Sequence, residues 1–241
     1  MIVPPFAEEM NKSRRMCAEV AHGLAERGVA SVLPDLYGTG DSAGEFADAD
    51  WQVWQDDLLR VAEWMAQCGW PVTDLLCVRL GCALGAQVAG RLPSPVGRTV
   101  FWQPVADGAR FVTQFLRLRV AASMMEDRRE TVESLKARLQ SGERIEVAGY
   151  ELSGGLAGQL ETVRLEETLD GAVGELHWME VVREEGAPLP AASTRLLESI
   201  GQRLPSVSTY AVCGEPFWSS TEIVRLPELV SRTVDVLAPA A

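Results

Sequence analysis

Short, continuously apolar runs alternate with helical stretches along most of this chain, and this alternation is the feature that most restricts its fold. The apolar runs are Ile2–Val3, Val29–Leu33, Thr73–Val78, Thr99–Gln103, Leu176–Val182 and Val207–Val212. The stretches with helical spacing of apolar residues are Asn11–Arg27, Trp51–Cys68, Ala83–Arg91, Thr194–Leu204 and Leu226–Leu237. Runs without polar alternation are typical of parallel strands covered on both faces. The pattern therefore predicts an α/β fold: a mainly parallel sheet with helices on both faces.

The alternation stops between residues 107 and 170. Two stretches there have helical periodicity, and the segment SGERIEVAGYELS between them is compatible with a short hairpin or a loop. A helical insertion within an α/β sheet is typical of a cap. We therefore expect residues 1–106 to form the first part of the core, residues 107–170 an α-helical cap insertion, and residues 171–241 the second part of the core.

Charge and composition exclude several classes of function. The sequence has 22 Lys and Arg against 34 Asp and Glu, and the net charge of −12 argues against nucleic acid and anionic membrane surfaces as partners. No apolar run reaches the roughly 18 residues of a membrane span, and the first residues lack a signal-peptide pattern. Five cysteines without a CxxC pair, and two histidines, predict no metal site, no cofactor and a reducing, cytoplasmic setting. The oligomeric state stays open.

Residues 75–85, LLCVRLGCALG, have the order strand, tight turn, helix. A nucleophile elbow, G-x-S-x-G, has this form and lifts its central side chain above the sheet. Arg79 stands at the position of the serine and Cys77 at that of the first glycine, whereas a second register would put Ala83 there, inside the helix. Arg79 is either a strand-end arginine paired with an acid or an anchor in the ligand crevice at the carboxyl ends of the strands. It can bind a carboxylate or phosphate or stabilise an oxyanion, but it stays protonated and cannot attack.

No histidine follows the last predicted strand, where a Ser–His triad would need one. Glu215 lies in that loop, and Glu184 follows the preceding strand, where the acid of a triad would lie. His177 falls inside a strand and His22 inside the first helix, so neither is placed as a base. Arg79, Glu184 and Glu215 are therefore our candidates for the triad-equivalent catalytic positions.

The loop after the first strand, PPFAEEMNKSRR, is dense in charged and polar side chains. A loop at this place supplies a backbone N–H to an oxyanion hole in many α/β enzymes. The plainer interpretation is a helix N-terminus with Asn11 or Ser13 as its cap. Together with the elbow and the last loop, it provides the candidate ligand-binding residues Phe6, Ala7, Glu8, Glu9, Asn11, Lys12, Arg15, Leu80 and Trp218.

A second glycine-rich segment, Asp35–Gly44, contains G-x-G-x-x-x-G after a predicted strand. Such a pattern suggests dinucleotide binding, but no helix opens at the third glycine. The acid that would hold a ribose at the end of the next strand is also missing, because Arg79 stands there. A tight turn that needs small residues explains the glycines better, and a nucleotide-binding protein stays as an alternative.

The chain resembles the α/β-hydrolase superfamily and, more specifically, the family called exosortase A system-associated hydrolase, type 2. The segments that carry the resemblance are PPFAEEMNKSRRM, LPDLYGTGDSAGEFADADW, the VRLG turn, FWQPVADGARFVTQFLRLRVAASMM, VAGYELS and GEPFWSSTEIVRLPELV. The resemblance implies an α/β-hydrolase fold and a bacterium with the exosortase (PEP-CTERM) protein-sorting and exopolysaccharide system. It also implies a hairpin before the strand that bears Val3, which we expect to be missing here.

Three hypotheses about function follow. The first is an α/β-hydrolase-fold protein that has lost the Ser–His triad and binds a small acyl or anionic ligand at Arg79. The second is an active esterase or acyl hydrolase with a non-standard nucleophile such as Cys82, or with water activated by an acid: Glu8, Glu9, Glu184, Glu185 or Glu215. The third is the nucleotide-binding protein. The permanent charge of Arg79 favours the first.

Overall fold

Five parallel strands form the central sheet. The structure is a computed structural model that describes residues 1–125, 129–220 and 222–238. Its strands are β1 (Ile2–Val3), β2 (Asp74–Val78), β3 (Arg98–Trp102), β4 (Ile145–Val147), β5 (Tyr150–Leu152), β6 (Glu175–Val182) and β7 (Ser206–Cys213). The sheet has the order β1-β2-β3-β6-β7, and all four pairings are parallel. The loops that follow β1, β2, β3, β6 and β7 therefore leave the same edge, as predicted.

The helices fall close to the predicted stretches. They are α1 (Glu8–Glu26), α2 (Trp51–Gln67), α3 (Gly81–Ala89), α4 (Gly108–Met125), α5 (Val132–Gln140), α6 (Gly154–Thr162), α7 (Leu165–Thr168), α8 (Ala191–Ile200) and α9 (Pro227–Leu237). Single 3₁₀ turns occur at Phe46–Asp48 and Gly171–Val173. No helix within these described ranges is both long and apolar enough to cross a bilayer.

The chain divides into two compact units. The first unit comprises Met1–Pro34, Leu58–Ala106 and Leu165–Ala241, and it contains the five-stranded sheet. The second comprises Asp35–Asp57 and Asp107–Arg164, and it contains α4, α5, α6 and the antiparallel hairpin β4–β5. Helices thus dominate residues 107–164, and the segment for which a hairpin or a loop was expected is a hairpin. Its role as a cap stays a prediction.

Alternate side chains of the sheet in the first unit face different helices. On one face, Leu76, Val100 and Trp102 join a buried cluster with Val20 of α1 and Val234 of α9. The Trp102 indole N–H also donates to the hydroxyl of Thr233 on α9, at 2.8 Å. The sheet is therefore anchored to α9 by a hydrogen bond as well as by apolar packing.

The opposite face of the sheet lies against α3. A Cβ added to Gly85 would come within 2.4 Å of the Cys77 sulfur and within 3.5 Å of Val3. The helix can approach β1 and β2 this closely because residue 85 has no side chain. Helices therefore cover both faces of the sheet, and the predicted fold class is confirmed.

Two local predictions were wrong. Val29–Leu33 is not a strand: Ile2 N–H donates to the carbonyl of Val32, but the segment is mostly half-exposed and joins no ladder. It lies beside β1 at this hydrogen bond but is not part of the sheet, whose edge strand on this side is β1. Asn11 and Ser13 do not cap α1, because the helix begins at Glu8 after Ala7 and both residues lie inside it.

Candidate functional site

Three neighbouring strands of the sheet each lead into a strained backbone position. Ala7 follows β1 with φ of 48°, Arg79 follows β2 with φ of 56°, and Gln103 follows β3 with φ of 44°. Residues other than glycine adopt positive φ at an energetic cost, and such positions cluster at functional sites. Because β1, β2 and β3 are adjacent and parallel, all three lie at the carboxyl edge, where α/β folds place their sites.

The strained turn at Arg79 has the geometry of an elbow between strand and helix. Arg79 N–H donates to the carbonyl of Trp102 at 2.9 Å, and α3 begins two residues later at Gly81. A Cβ on Gly81 would lie 2.4 Å from the carbonyl oxygen of Pro4, so only glycine fits there. The chain therefore has an elbow turn with an arginine at its apex.

The guanidinium of Arg79 is held from three sides. Its Nε and Nη2 both lie 3.0 Å from Oε1 of Glu9, and Nη1 donates to the carbonyl of Gln103 at 3.0 Å. The ring of Trp218 lies 4.9 Å from the guanidinium carbon, a cation–π distance. The Arg79 side chain is 13% exposed, so it is fixed in place but not sealed from solvent.

Two acids at the start of α1 lie next to this cation. Burial raises the pKa of Glu9 to about 7, against the opposing effect of Arg79, and the neighbouring Glu8 raises it further. Burial also raises the pKa of Glu8. Oε2 of Glu9 and Oε2 of Glu8 are buried and accept no hydrogen bond from any described residue. Glu9 thus binds Arg79 with one oxygen, and its other oxygen accepts no hydrogen bond from the described residues.

Sequence reasoning missed Gln103 and Glu180. Gln103 accepts from Arg79 through its carbonyl, and its side chain accepts from Val181 N–H at 2.8 Å. The carboxylate of Glu180, buried within β6, accepts from the Trp178 indole at 2.6 Å and lies 3.4 Å from the Gln103 amide nitrogen. A carboxylic acid inside a largely apolar strand run is the sequence signal that could have drawn attention to Glu180.

The candidate site residues that follow β6 and β7 differ in how deeply they are buried. Trp218 is 9% exposed and its ring packs on Arg79, and its role in ligand binding stays a prediction. Glu184 and Glu215 have exposed side chains. Glu215 lines an open cavity of about 550 Å³ together with Arg183, Ser219 and Ser220. The structure shows no hydrogen bond from Arg79 to Glu184 or Glu215, so their triad-equivalent role stays a prediction.

The remaining ligand-site candidates differ in exposure. Phe6 and Leu80 are buried beside the strained turns. Lys12 is half-exposed and lies close enough to favour the charged forms of Glu8 and Glu9. Asn11 and Arg15 are exposed, and Arg15 pairs with Glu19 one turn along α1 at 3.2 Å.

The cysteine expected as an alternative nucleophile lies inside the protein. Cys82 is completely buried, and its thiol donates to the carbonyl of Cys77 at 3.2 Å. Burial raises the pKa of Cys82 well above its usual range, and the lowering effect of Arg79 is smaller. A protonated, inaccessible thiol is not a nucleophile. Burial therefore disfavours Cys82 as the nucleophile of the second hypothesis.

The histidines remain away from the elbow apex. His177 stacks on Tyr210, with Nδ1 3.2 Å from the phenol oxygen, and burial lowers its pKa. His22 is exposed on α1. Among the described residues, no group of three or more acidic, histidine or cysteine side chains could hold a metal ion.

The glycine-rich segment of the second unit is shaped by its own packing. A Cβ on Gly40 would lie 2.3 Å from the Asp35 carboxylate, and one on Gly44 would lie 2.1 Å from the Tyr37 ring. Both glycines have positive φ, and the segment ends in a 3₁₀ turn rather than at a helix start. These contacts support the tight-turn interpretation over a phosphate cradle.

Solved structures with the same fold identify the architecture. Est1E from Butyrivibrio proteoclasticus, determined with ferulic acid bound, superimposes with a TM-score of 0.67 at 18% identity, over 92% of this chain and 81% of that one. A structure from the work on the metagenome-derived lipolytic enzymes LipS and LipT gives a TM-score of 0.61 at 17% identity, over 98% of this chain and 91% of that one. The Pyrococcus furiosus esterase gives 0.58 at 13%, over 91% and 73%. No family model and no curated protein sequence matches the chain. The chain has the α/β-hydrolase fold that these esterases and lipolytic enzymes share.

Proposed function

We propose that this chain is an α/β-hydrolase-fold binding protein that lacks a Ser–His triad and holds a small acyl or anionic ligand against Arg79. We further propose that it serves the exosortase and exopolysaccharide-associated protein-sorting system in the cytoplasm. The observation that carries the binding proposal is the elbow turn at Arg79, with φ of 56°. That turn presents a permanent cation where a hydrolase presents its nucleophile.

The donor inventory of Arg79 supports a ligand with an oxygen acceptor. A guanidinium has five N–H donors, and the contacts with Glu9 and Gln103 engage three of them. One N–H on each Nη contacts no acceptor among the described residues. An acyl carbonyl or a carboxylate would complete this pair of donors, and the face of Trp218 adds an apolar wall.

One observation favours hydrolysis as a second candidate. A general base works best when its pKa lies near the operating pH, and the pKa of Glu9 is about 7. Glu9 could then activate a water molecule beside Arg79, which would stabilise the oxyanion that forms. This alternative needs neither a serine nor Cys82 as a nucleophile.

Two measurements distinguish binding from hydrolysis. We expect octanoate to bind and p-nitrophenyl octanoate not to be turned over above the buffer rate. Arg79→Ala should weaken octanoate binding by at least about thirtyfold, or about 2 kcal/mol, because one side of a charge pair is lost. Arg232→Ala, which removes an exposed pair with Glu228 on α9, is the matched control and should bind normally.

The opposite results would support the second candidate. Ester turnover that disappears in Glu9→Gln would identify Glu9 as a base. Stoichiometric labelling by a fluorophosphonate would overturn the proposed loss of a serine nucleophile. Thiol reagents should modify the exposed Cys68 and Cys213 well before the buried Cys82. Turnover abolished by Cys82→Ala would contradict the burial of that thiol.

A further inference from the structure

The contact between Glu9 and Arg79 uses only half of the carboxylate. Both Nε and Nη2 of Arg79 contact Oε1 of Glu9. The other carboxylate oxygen, Oε2, is buried and accepts no hydrogen bond from the described residues. Glu9 is 6% exposed, so its carboxylate is largely shielded from bulk solvent. A buried acceptor without a donor costs about 1–3 kcal/mol. Protonation of Oε2 removes the charge that makes this burial unfavourable.

The charges around Glu9 come from several elements. On α1 they are Glu8 and Lys12, and at the elbow there is Arg79. Arg79 also lies close enough to the Cys82 thiol of α3 to affect its pKa. It donates to the carbonyl of Gln103, whose side-chain amide in turn donates to Glu180 of β6. Arg79 and Lys12 balance Glu8 and Glu9 when both acids are ionised. An added anion upsets that balance by one negative charge.

We propose that a ligand carboxylate first engages the free N–H donors of Arg79 and then replaces Glu9 as its partner, and that Glu9 takes up one proton from solvent as it is displaced. This inference rests on the proposed function and narrows it: the ligand is a free carboxylic acid, bound as its carboxylate together with a proton. The proton ends on Glu9, at the oxygen that now lacks a partner. No covalent bond of the ligand forms or breaks.

Simple electrostatics supports the exchange. Two carboxylates that share one cation in a poorly hydrated site do not both stay ionised, because like charges raise the pKa of one of them. Burial has already raised the pKa of Glu9 to about 7, so its protonation near neutral pH needs little further free energy. The ligand, by contrast, has the ordinary pKa of an exposed carboxylic acid and stays ionised above about pH 6.

The test is calorimetric titration of the whole chain with octanoate at about pH 8 in two buffers of different ionisation enthalpy. We expect uptake of between about one half and one proton per bound octanoate, because Glu9 is mostly ionised before binding. The Kd should rise by up to about tenfold per pH unit above about pH 7 and level off below about pH 6. Octanamide, a neutral isostere, should bind without proton uptake.

Two variants assign the proton. In Glu9→Gln we expect octanoate to bind more tightly at about pH 8, with no proton uptake and a flat pH profile. Glu26→Gln removes an exposed acid at the last residue of α1, outside the proposed site, and should keep the wild-type linkage. If Glu9→Gln does not fold, the proton count of the wild type and of Glu26→Gln still decides the question.

The outcomes separate the two proposals. Octanoate binding without proton uptake, or with uptake that survives in Glu9→Gln, overturns the exchange and leaves the proposed function standing. Binding of octanamide but not of octanoate also overturns the exchange and identifies an acyl site. If neither compound binds, both the exchange and the proposed acyl or anionic site are wrong.

Discussion

The two sides of the sheet's carboxyl edge differ in how firmly they hold their charged residues. After β1 and β2, Glu9 and Arg79 are largely buried, joined by direct hydrogen bonds and set by strained backbone turns. After β6 and β7, Glu184 and Glu215 are exposed. In a Ser–His hydrolase the second side would carry the acid and the base. The difference shows that, of these charged side chains, the buried and hydrogen-bonded ones are those around the elbow turn.

The largest expected effect is a difference in stability between glycine substitutions in the elbow turn after β2 and in the loop after β6. Gly81→Ala should lower the free energy of unfolding by at least about 3 kcal/mol, because its Cβ would lie 2.4 Å from the Pro4 oxygen and 2.9 Å from the Val3 oxygen. Gly186→Ala, in the loop after β6, has open space and only a positive φ of 74°, so it should cost about 1 kcal/mol. Urea unfolding measures both, and equal losses would contradict the comparison.

The next effect is the pH dependence that Glu9 imposes. Its pKa is higher in the folded chain, so between about pH 4.5 and about pH 7 the folded state binds more protons than the unfolded state. Stability therefore falls as the pH rises through this window, by up to about 3 kcal/mol. Glu9→Gln should remove this contribution, whereas Glu215→Gln should not. Urea unfolding across the window would refute the prediction if the wild type and Glu9→Gln gave parallel curves.

A smaller effect concerns Trp218, the part of the loop after β7 that does reach Arg79. Trp218→Leu should cost about 1 kcal/mol beyond its lost apolar area, because the cation–π contact disappears. In an Arg79→Met background, Trp218→Leu should no longer carry this extra cost, because the cation is already gone. A double-mutant cycle measures the difference. Additive losses would mean that the ring packs on Arg79 without binding its charge.

The smallest effect is expected at the exposed acids. Glu184→Ala and Glu215→Ala should each change the free energy of unfolding by less than about 0.5 kcal/mol, since exposed side chains outside special contacts contribute little. Both should also leave octanoate binding unchanged if the elbow side alone holds the ligand. A loss of binding in either variant would extend the site across the whole edge.

The fold was predictable from the sequence because strand hydrophobicity and helix period are local properties. The run Thr73–Val78 and the stretch after it, for example, correspond closely to β2 and α3. Val29–Leu33 was mispredicted because an apolar run becomes a strand only when it pairs with a neighbouring strand, and this segment stays mostly half-exposed at the edge of the sheet beside β1. That condition depends on the tertiary structure, which no local pattern contains.

The position of the candidate site was predictable from the sequence, but the residue that pairs with Arg79 was not. The elbow pattern placed Arg79 at the apex, and five acids were candidates to accompany it. Which acid would pair with Arg79 depends on the first turn of α1, and Glu9 rather than Glu8 provides the carboxylate that bonds to it. The positive φ of Gln103 had no sequence signal either, because glutamine rarely adopts it.

The contact between Cys77 and Gly85 constrains how this protein can change over evolutionary time. The Cys77 sulfur fills the space that a side chain at position 85 would need, so the two positions share one volume. A lineage that gains a side chain at position 85 must first, or at the same time, have a smaller residue at position 77. Among related chains we therefore expect these two positions to vary together, with glycine at 77 opening the way for alanine at 85.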